Sequence, residues 1–379
     1  MRLRAPFIML ELHRKFGFRP RSAVWELTLS CNLRCRHCGS RAGRKRQDEL
    51  TLAEALRLCD ELAALGCRRL TLGGGEPLLR KDWPIIAERL IERGVTVGMV
   101  TNGLAWTEQV VATVKAVGLE SVAFSIDGLE ESHDYLRGSP GLWRRILEHA
   151  QRCRKAGLHV SAVTTLYRKN LPELPELRDV LRENGIERWQ LQLGTPTGNL
   201  ADHPELVIAP ESLLELVPLV ASWCRDNRRP KIYSGHNIGY FGEPEESLRD
   251  PRDVVPCWTG CTAGLNTIGI ESDGGIKGCL SLPSAMNDED AFLEGNIRDA
   301  SLRDIWFRPG AFAYNRGFKV EQLGGFCRSC DYGEVCRGGC TWGTFARGRF
   351  VRDNAYCYWR QQQEAERKKA APEPTSEKG

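Results

Sequence analysis

Three cysteines fall within eight residues, Cys31, Cys35 and Cys38, in the spacing CxxxCxxC. Thiolates are the usual ligands of iron–sulfur clusters, and three of them can hold three corners of a four-iron cubane. The next cysteine, Cys59, falls on the apolar face of a predicted helix, so one iron would lack a protein ligand. An open coordination position is what lets a metal centre do chemistry rather than only hold structure. A zinc ion is the alternative, and three close cysteines without a fourth suit it poorly. A second set lies far downstream: Cys257, Cys261, Cys279, Cys327, Cys330, Cys336, Cys340 and Cys357. Eight thiolates can close two four-iron clusters or two structural zinc sites. The other four of the fifteen, Cys59, Cys67, Cys153 and Cys224, sit at apolar positions and read as small core residues.

The elements that must position these groups follow from the hydrophobic pattern. From residue 23 to about 193, short β-type runs at 24–29, 69–72, 95–100, 121–126, 159–166 and 188–193 alternate with helical patterns such as 52–65, 82–93 and 142–156. Thr51 followed by Glu54 forms a capping box at the first helix. The βαβα cadence implies a parallel sheet with right-handed crossovers, and chemistry at the C-terminal ends of the strands. Polar and glycine residues gather at those ends: Gly73, Gly74, Gly75 and Glu76 after the second strand, Asn102 after the third, Ser125 and Asp127 at the fourth. Gln190 and Gln192 alternate with leucines on the sixth strand, where they can face the barrel or satisfy each other. Residues 256–358 are rich in glycine and aromatics and poor in helical periodicity. Such a stretch cannot build a large apolar core and calls for metal staples.

Composition narrows the rest. Fifty-three basic against 49 acidic residues give a formal charge of +4, which argues against an extended nucleic-acid surface. There is no apolar run of membrane length, and the basic N-terminus lacks the apolar core of a signal peptide. The chain is expected in the cytoplasm, where an odd count of reduced cysteines serves metal or redox work rather than disulfides.

Cys31, Cys35 and Cys38 after the first strand, with Gly74, Gly75 and Glu76 after the second, resemble the radical S-adenosylmethionine (SAM) superfamily. The resemblance implies an α/β fold, an incomplete (β/α)6 TIM-like barrel followed by a small cysteine-rich iron–sulfur domain. It also implies SAM contacts at Gly74, Gly75, Glu76, Asn102, Ser125 and Asp127, Glu76 pairing with the SAM ammonium. The later cysteines resemble the SPASM domain, which implies three 4Fe–4S clusters in all. By that resemblance Cys257, Cys261, Cys279 and Cys340 hold one auxiliary cluster, and Cys327, Cys330, Cys336 and Cys357 the other; spacing alone would pair Cys340 with its neighbours.

The implied activity is reductive cleavage of SAM to a 5′-deoxyadenosyl radical and oxidation of a ribosomally made peptide or protein. An oxidative step in making a modified haem or quinone cofactor is the alternative, and a non-catalytic electron carrier a third. Leu280 stands where sulfatase-maturing relatives place an aspartate, which counts against that chemistry. The implied partners are a peptide or protein substrate, a separate leader-binding protein, and an electron donor such as a flavodoxin or ferredoxin, with neither nucleic acid nor membrane. Tyr135, Arg137, Tyr233, His236 and Tyr240 are candidates for a substrate cleft or ordinary surface residues. The expected organisation is an N-terminal extension at 1–22, barrel at 23–227, linker at 228–255, SPASM domain at 256–360 and a disordered tail at 361–379.

Overall fold

The computed structural model describes residues 7–226, 228–249, 257–283, 290–345 and 351–370. Ten strands form one sheet: β1 (Ser22–Thr28), β2 (Arg69–Gly74), β3 (Thr96–Thr101), β4 (Ser121–Ser125), β5 (Val160–Leu166), β6 (Arg188–Leu193), β7 (Lys231–Ser234), β8 (Thr267–Ile270), β9 (Gly275–Lys277) and β10 (Gly295–Asn296). Their order is β10-β9-β8-β1-β2-β3-β4-β5-β6-β7. All pairs from β1 to β7 are parallel, so each crossover carries the chain one strand onward, the register of a TIM-like barrel that does not close.

Helices α1 (Phe7–Phe16), α2 (Leu52–Ala64), α3 (Trp83–Glu92), α4 (Glu108–Val117), α5 (Glu130–Arg137), α6 (Leu142–Lys155), α7 (Leu174–Glu183) and α8 (Leu213–Arg225) run between or before these strands. Their apolar stripes explain the packing. On α6, Leu142, Ile146, Leu147, Ala150 and Cys153 recur at helical spacing and are buried, with arginines on the outer face. Trp25, Phe124 and Trp189 on the strands are fully covered from the helix side, each contributing roughly 1.5–3 kcal/mol or more by burial. Thr51 and Glu54 make the expected capping box. Segment Pro204–Arg225 is apolar enough to match a membrane span by composition. Its helical part, α8, instead buries Leu213, Leu216, Val217, Val220 and Ala221 within the protein core.

The structure adds elements to three of the expected segments. The supposed linker supplies β7, which pairs with β6 and extends the sheet; its residues 250–255 lie outside the described set. Four residues are too few to show strand periodicity in sequence, and the strand is made by its neighbour. The supposed tail begins as a helix, Tyr358–Ala370, with Tyr358 and Gln361 buried; 371–379 lie outside the described residues. The N-terminal extension includes α1, whose Arg14 donates to the carbonyls of Arg316 and Phe318 at 3.3 Å each.

The C-terminal cysteine-rich part continues the barrel's own sheet. β8 runs parallel beside β1, and β9 and β10 follow antiparallel. Arg46 ties the two parts together, pairing with Glu26 at 2.8 Å and Glu271 at 3.2 Å.

Candidate functional site

The loop after β1 carries Cys31, Cys35 and Cys38 and is held by the strand ends around it. Asn199 donates from its backbone to the Cys38 carbonyl at 2.8 Å and from its side chain to the Cys35 carbonyl at 2.9 Å. Each thiol also meets a donor: Asn102 Nδ2 lies 3.7 Å from Cys31 Sγ, Arg137 Nη1 3.8 Å from Cys35 Sγ, and the Ala42 amide 3.3 Å from Cys38 Sγ. Burial pushes the Cys35 thiol up to about 11. N–H groups and a cation aimed at sulfur favour a thiolate ligand, so the donor set fits a negatively charged cluster.

The end of β2 crosses this loop at close range. The Gly75 amide donates to the Thr28 carbonyl and the Glu76 amide to the Ser30 carbonyl, both at 2.8 Å. A Cβ on Gly75 would stand 2.2 Å from Ser30 O, so glycine is required there by the neighbouring backbone. Gly74 has φ +125°, open only to glycine in practice. Buried Gly73 is different: a Cβ there would meet nothing within 4 Å, so its side of the strand end opens on free space.

Glu76 is fully buried, and burial pushes its carboxyl up. Oε1 accepts from Thr101 Oγ1 at 2.8 Å and the Leu78 amide at 3.2 Å, while Oε2 accepts from the Asn102 amide at 2.8 Å. About one of a carboxylate's four or so acceptor positions is left, on Oε2. Glu76 therefore also pins β2 to β3, a duty its motif does not reveal. Asn102 reaches back to Asn32 Oδ1 at 2.8 Å, at the edge of the cysteine loop.

Asp127 does not reach the barrel opening. It is fully buried, paired with Arg137 at 2.6 Å and His37 at 3.2 Å, and accepts from the Thr165 amide at 2.9 Å. Burial alone would push its carboxyl up, but Arg137 and His37 outweigh that and hold it far below the usual range. A carboxylate so occupied has no room for a ribose hydroxyl, so the expected contact is corrected: Asp127 positions the cysteine loop. His133 Nδ1 accepts from the Asp127 amide at 3.1 Å. Ser125, by contrast, is half-buried at the end of β4 in the register row Ser125, Val163, Gln190 and Tyr233. That row lies opposite the covered face of Phe124, Ala162, Trp189 and Ile232 and lines the barrel interior. Gln192 donates to Thr165 Oγ1 at 3.2 Å and Gln190 to Gln192 Oε1 at 3.5 Å.

All fifteen cysteines are free of disulfides. The C-terminal thiols gather in two groups by mutual influence. Cys261 and Cys340 act on each other's charge, and Cys279 is close enough to act with both. Cys336 and Cys357 both feel Cys327 and Cys330. Cys340 and Cys261 influence one another although they are distant in sequence. Burial pushes the Cys257 thiol up, with Glu245 adding to this and Arg249 opposing it. A narrow crevice of about 10 Å³, no larger than a water molecule, lies between Gly194 and Thr195 after β6 and Cys340, with Asn237 and Tyr356 on its walls.

Of the five suggested cleft residues, Tyr233 faces the barrel and Tyr135 and His236 are exposed. Arg137 and Tyr240 are buried, Arg137 in the Asp127 network and Tyr240 between the two C-terminal cysteine groups. Sequence reasoning missed His37, His133 and the bridging role of Tyr240. His37 stood in view between two motif cysteines; the others carry no local signal.

Comparison with known proteins agrees with this geometry. The model of the radical SAM superfamily matches residues 25–197, and that of an iron–sulfur cluster-binding domain, SPASM, matches 261–331. An AdoMet-dependent heme synthase of Methanosarcina barkeri is 31% identical over 357 residues, covering 90% of this chain and 97% of that one. An Fe-coproporphyrin III synthase of the same organism is 34% identical, covering 83% and 82%. The mycofactocin maturase MftC of Mycobacterium tuberculosis is 28% identical, covering 87% and 80%. Among solved structures, Streptococcus suis SuiB bound to S-adenosylmethionine superposes with a TM-score of 0.71 at 17% identity, covering 91% and 79%.

Proposed function

Since the chain belongs to the radical SAM superfamily and carries a SPASM domain, we propose that it performs an oxidative step on a carboxylate-bearing tetrapyrrole, using SAM and three 4Fe–4S clusters. The observation that carries the substrate class is the nearly end-to-end similarity to a heme synthase, above 30% identity. The chain's own charge is in keeping with it. From Cys31 to Arg46 there are six arginines and lysines and no acid. Arg34, Arg41, Arg44 and Lys45 of these are exposed, a rim suited to carboxylates or to an acidic flavodoxin or ferredoxin as electron donor.

When bound, SAM and its cluster supply a 5′-deoxyadenosyl radical for hydrogen-atom removal. The chain does the rest. Cys31, Cys35 and Cys38 would hold the SAM-binding cluster. Gly74, Gly75, Asn102 and Ser125 would border SAM, and the remaining lone pair of Glu76 Oε2 would accept from its ammonium. Asp127 and Arg137 fix the loop that presents the cysteines. Cys257, Cys261, Cys279 and Cys340 would close one auxiliary cluster, and Cys327, Cys330, Cys336 and Cys357 the other. Either auxiliary cluster could take the surplus electron that hydrogen-atom removal leaves on the substrate. The proposed setting is the cytoplasm, which keeps thiols reduced.

A second reading, modification of a ribosomally made peptide with a separate leader-binding protein, is favoured by the likeness to MftC, at lower identity and coverage. The test is anaerobic incubation of reconstituted protein with SAM and dithionite, offering in turn an iron porphyrin with propionate side chains and short peptides. Substrate-dependent 5′-deoxyadenosine with a mass change in the porphyrin is expected. Stimulation by peptide alone would replace the tetrapyrrole reading with the second one.

A further inference from the structure

Two buried arginines inside the SPASM domain have no carboxylate partner among the described residues. Arg337 is 3% and Arg352 2% exposed. Among the described residues neither forms an ion pair with a carboxylate. Arg337 Nη2 donates to the carbonyls of Thr259 and Cys261, both at 3.0 Å, while its Nε and Nη1 are buried without any hydrogen-bond partner. Arg352 sits behind it, donating to the Arg337 carbonyl at 2.7 Å and to Asn315 Oδ1 at 3.1 Å. A buried cation with no counter-charge is costly to hold out of water. Two side by side are harder still to sustain.

The backbone confirms that this placement is imposed. Arg337 has φ +56°, a left-handed conformation that non-glycine residues adopt only at a cost. Its guanidinium lies flat on Gly260, where a Cβ would come within 2.0 Å of Nε. The chain thus accepts a strained residue and a bare neighbour to bring this cation to the backbone of Cys261. Along the sequence Arg337 follows Cys336, a member of the other cysteine group. It therefore spans the two groups, with its charge delivered to the first.

Resting on the reading of these cysteines as cluster ligands, we infer that Arg337, backed by Arg352, is the counter-charge of the auxiliary cluster at Cys261, Cys279 and Cys340, and biases that cluster toward accepting electrons. A four-iron cubane with thiolate ligands is anionic and gains a further negative charge on reduction. A fixed cation beside it stabilises the reduced form more than the oxidised one, which raises its potential.

The test is a potentiometric titration of the full-length, reconstituted enzyme followed by electron paramagnetic resonance, with iron counted first. The signal lost in Cys279→Ala identifies the cluster. Arg337→Gln at unchanged iron content is expected to lower its midpoint by at least tenfold in reduction equilibrium, 59 mV for one electron, and to move the other auxiliary signal less. Arg337→Lys, which keeps the charge, should restore most of the shift. An unmoved midpoint at full iron content overturns the inference, as does a shift in Arg337→Lys as large as in Arg337→Gln, the mark of a merely structural role. If Arg337→Gln fails to load, Arg352→Gln decides: it must lower the same midpoint or the inference falls. A parent protein holding only about 4 irons would instead sink the cluster assignment itself.

Discussion

Beneath the cysteine loop, Asp127 joins three elements: His37 from the loop, Arg137 from the end of α5 and the Thr165 amide from β5. Its value is positional, because Arg137 in turn stands 3.8 Å from Cys35 Sγ. Asp127→Asn keeps the shape and removes the charge, leaving Arg137 buried without its anion. We expect a loss of about 3–5 kcal/mol in denaturant unfolding, with weakened iron retention at Cys31, Cys35 and Cys38. His133 adds a pH dependence. Burial lowers it to about 3, with the Arg137 cation acting in the same direction, the neighbouring His37 adding to this, and Asp127 opposing. Its Nδ1 must stay unprotonated to accept from the Asp127 amide. The unfolded chain takes up this proton near pH 6.5 while the folded one refuses it until about 3. Stability from this group is therefore full above pH 6.5 and is lost as pH falls toward 3, by up to roughly 1.4 kcal/mol per unit. Thermal unfolding from pH 7 to 5 should fall less steeply for His133→Asn, which keeps an acceptor but does not titrate.

At the scale of elements, the turn after β2 sets the geometry of the mouth. Gly75 lies so near the Ser30 carbonyl that a methyl group cannot enter without moving the start of the cysteine loop. Gly75→Ala should cost roughly 2 kcal/mol or more in unfolding free energy. It should also slow SAM cleavage, because Glu76 and Asn102 are tied to the same loop. Retention of both stability and SAM cleavage would place the loop elsewhere. The six strands with clear alternation were legible in sequence to within a residue or two, since each is long enough to bury one face against a helix. β7 was not, because Lys231–Ser234 has the length of one turn and takes its conformation from the Arg188–Leu193 strand beside it.

In the whole molecule, the barrel and the cysteine-rich part share one sheet through β1 and β8, so the auxiliary cysteines sit at a fixed place relative to the barrel mouth. The chain folds back on itself there: Cys340 and Cys261 influence one another although three strands, β8 to β10, lie between them in sequence. Cys340→Ala and Cys279→Ala should each lower iron from about 12 to about 8 per chain and abolish the same resonance signal, whereas Cys336→Ala abolishes a different one. Loss of one signal by both Cys340→Ala and Cys336→Ala would mean that the cysteines pair by sequence proximity after all.

The sequence by itself determined the cysteine inventory, the strand-and-helix cadence and the glycine–glutamate turn. These rest on local chemistry: ligand type, side-chain periodicity and backbone freedom are all written within a few residues. The tertiary structure alone decided how Asp127 is paired, that 228–255 lends a strand to the sheet, and that Arg337 is buried with no carboxylate partner among the described residues. Each of these depends on groups brought together from distant parts of the chain. Burial and pairing set the charge and the hydrogen bonds of such groups, and neither has a signature at the residue's own position.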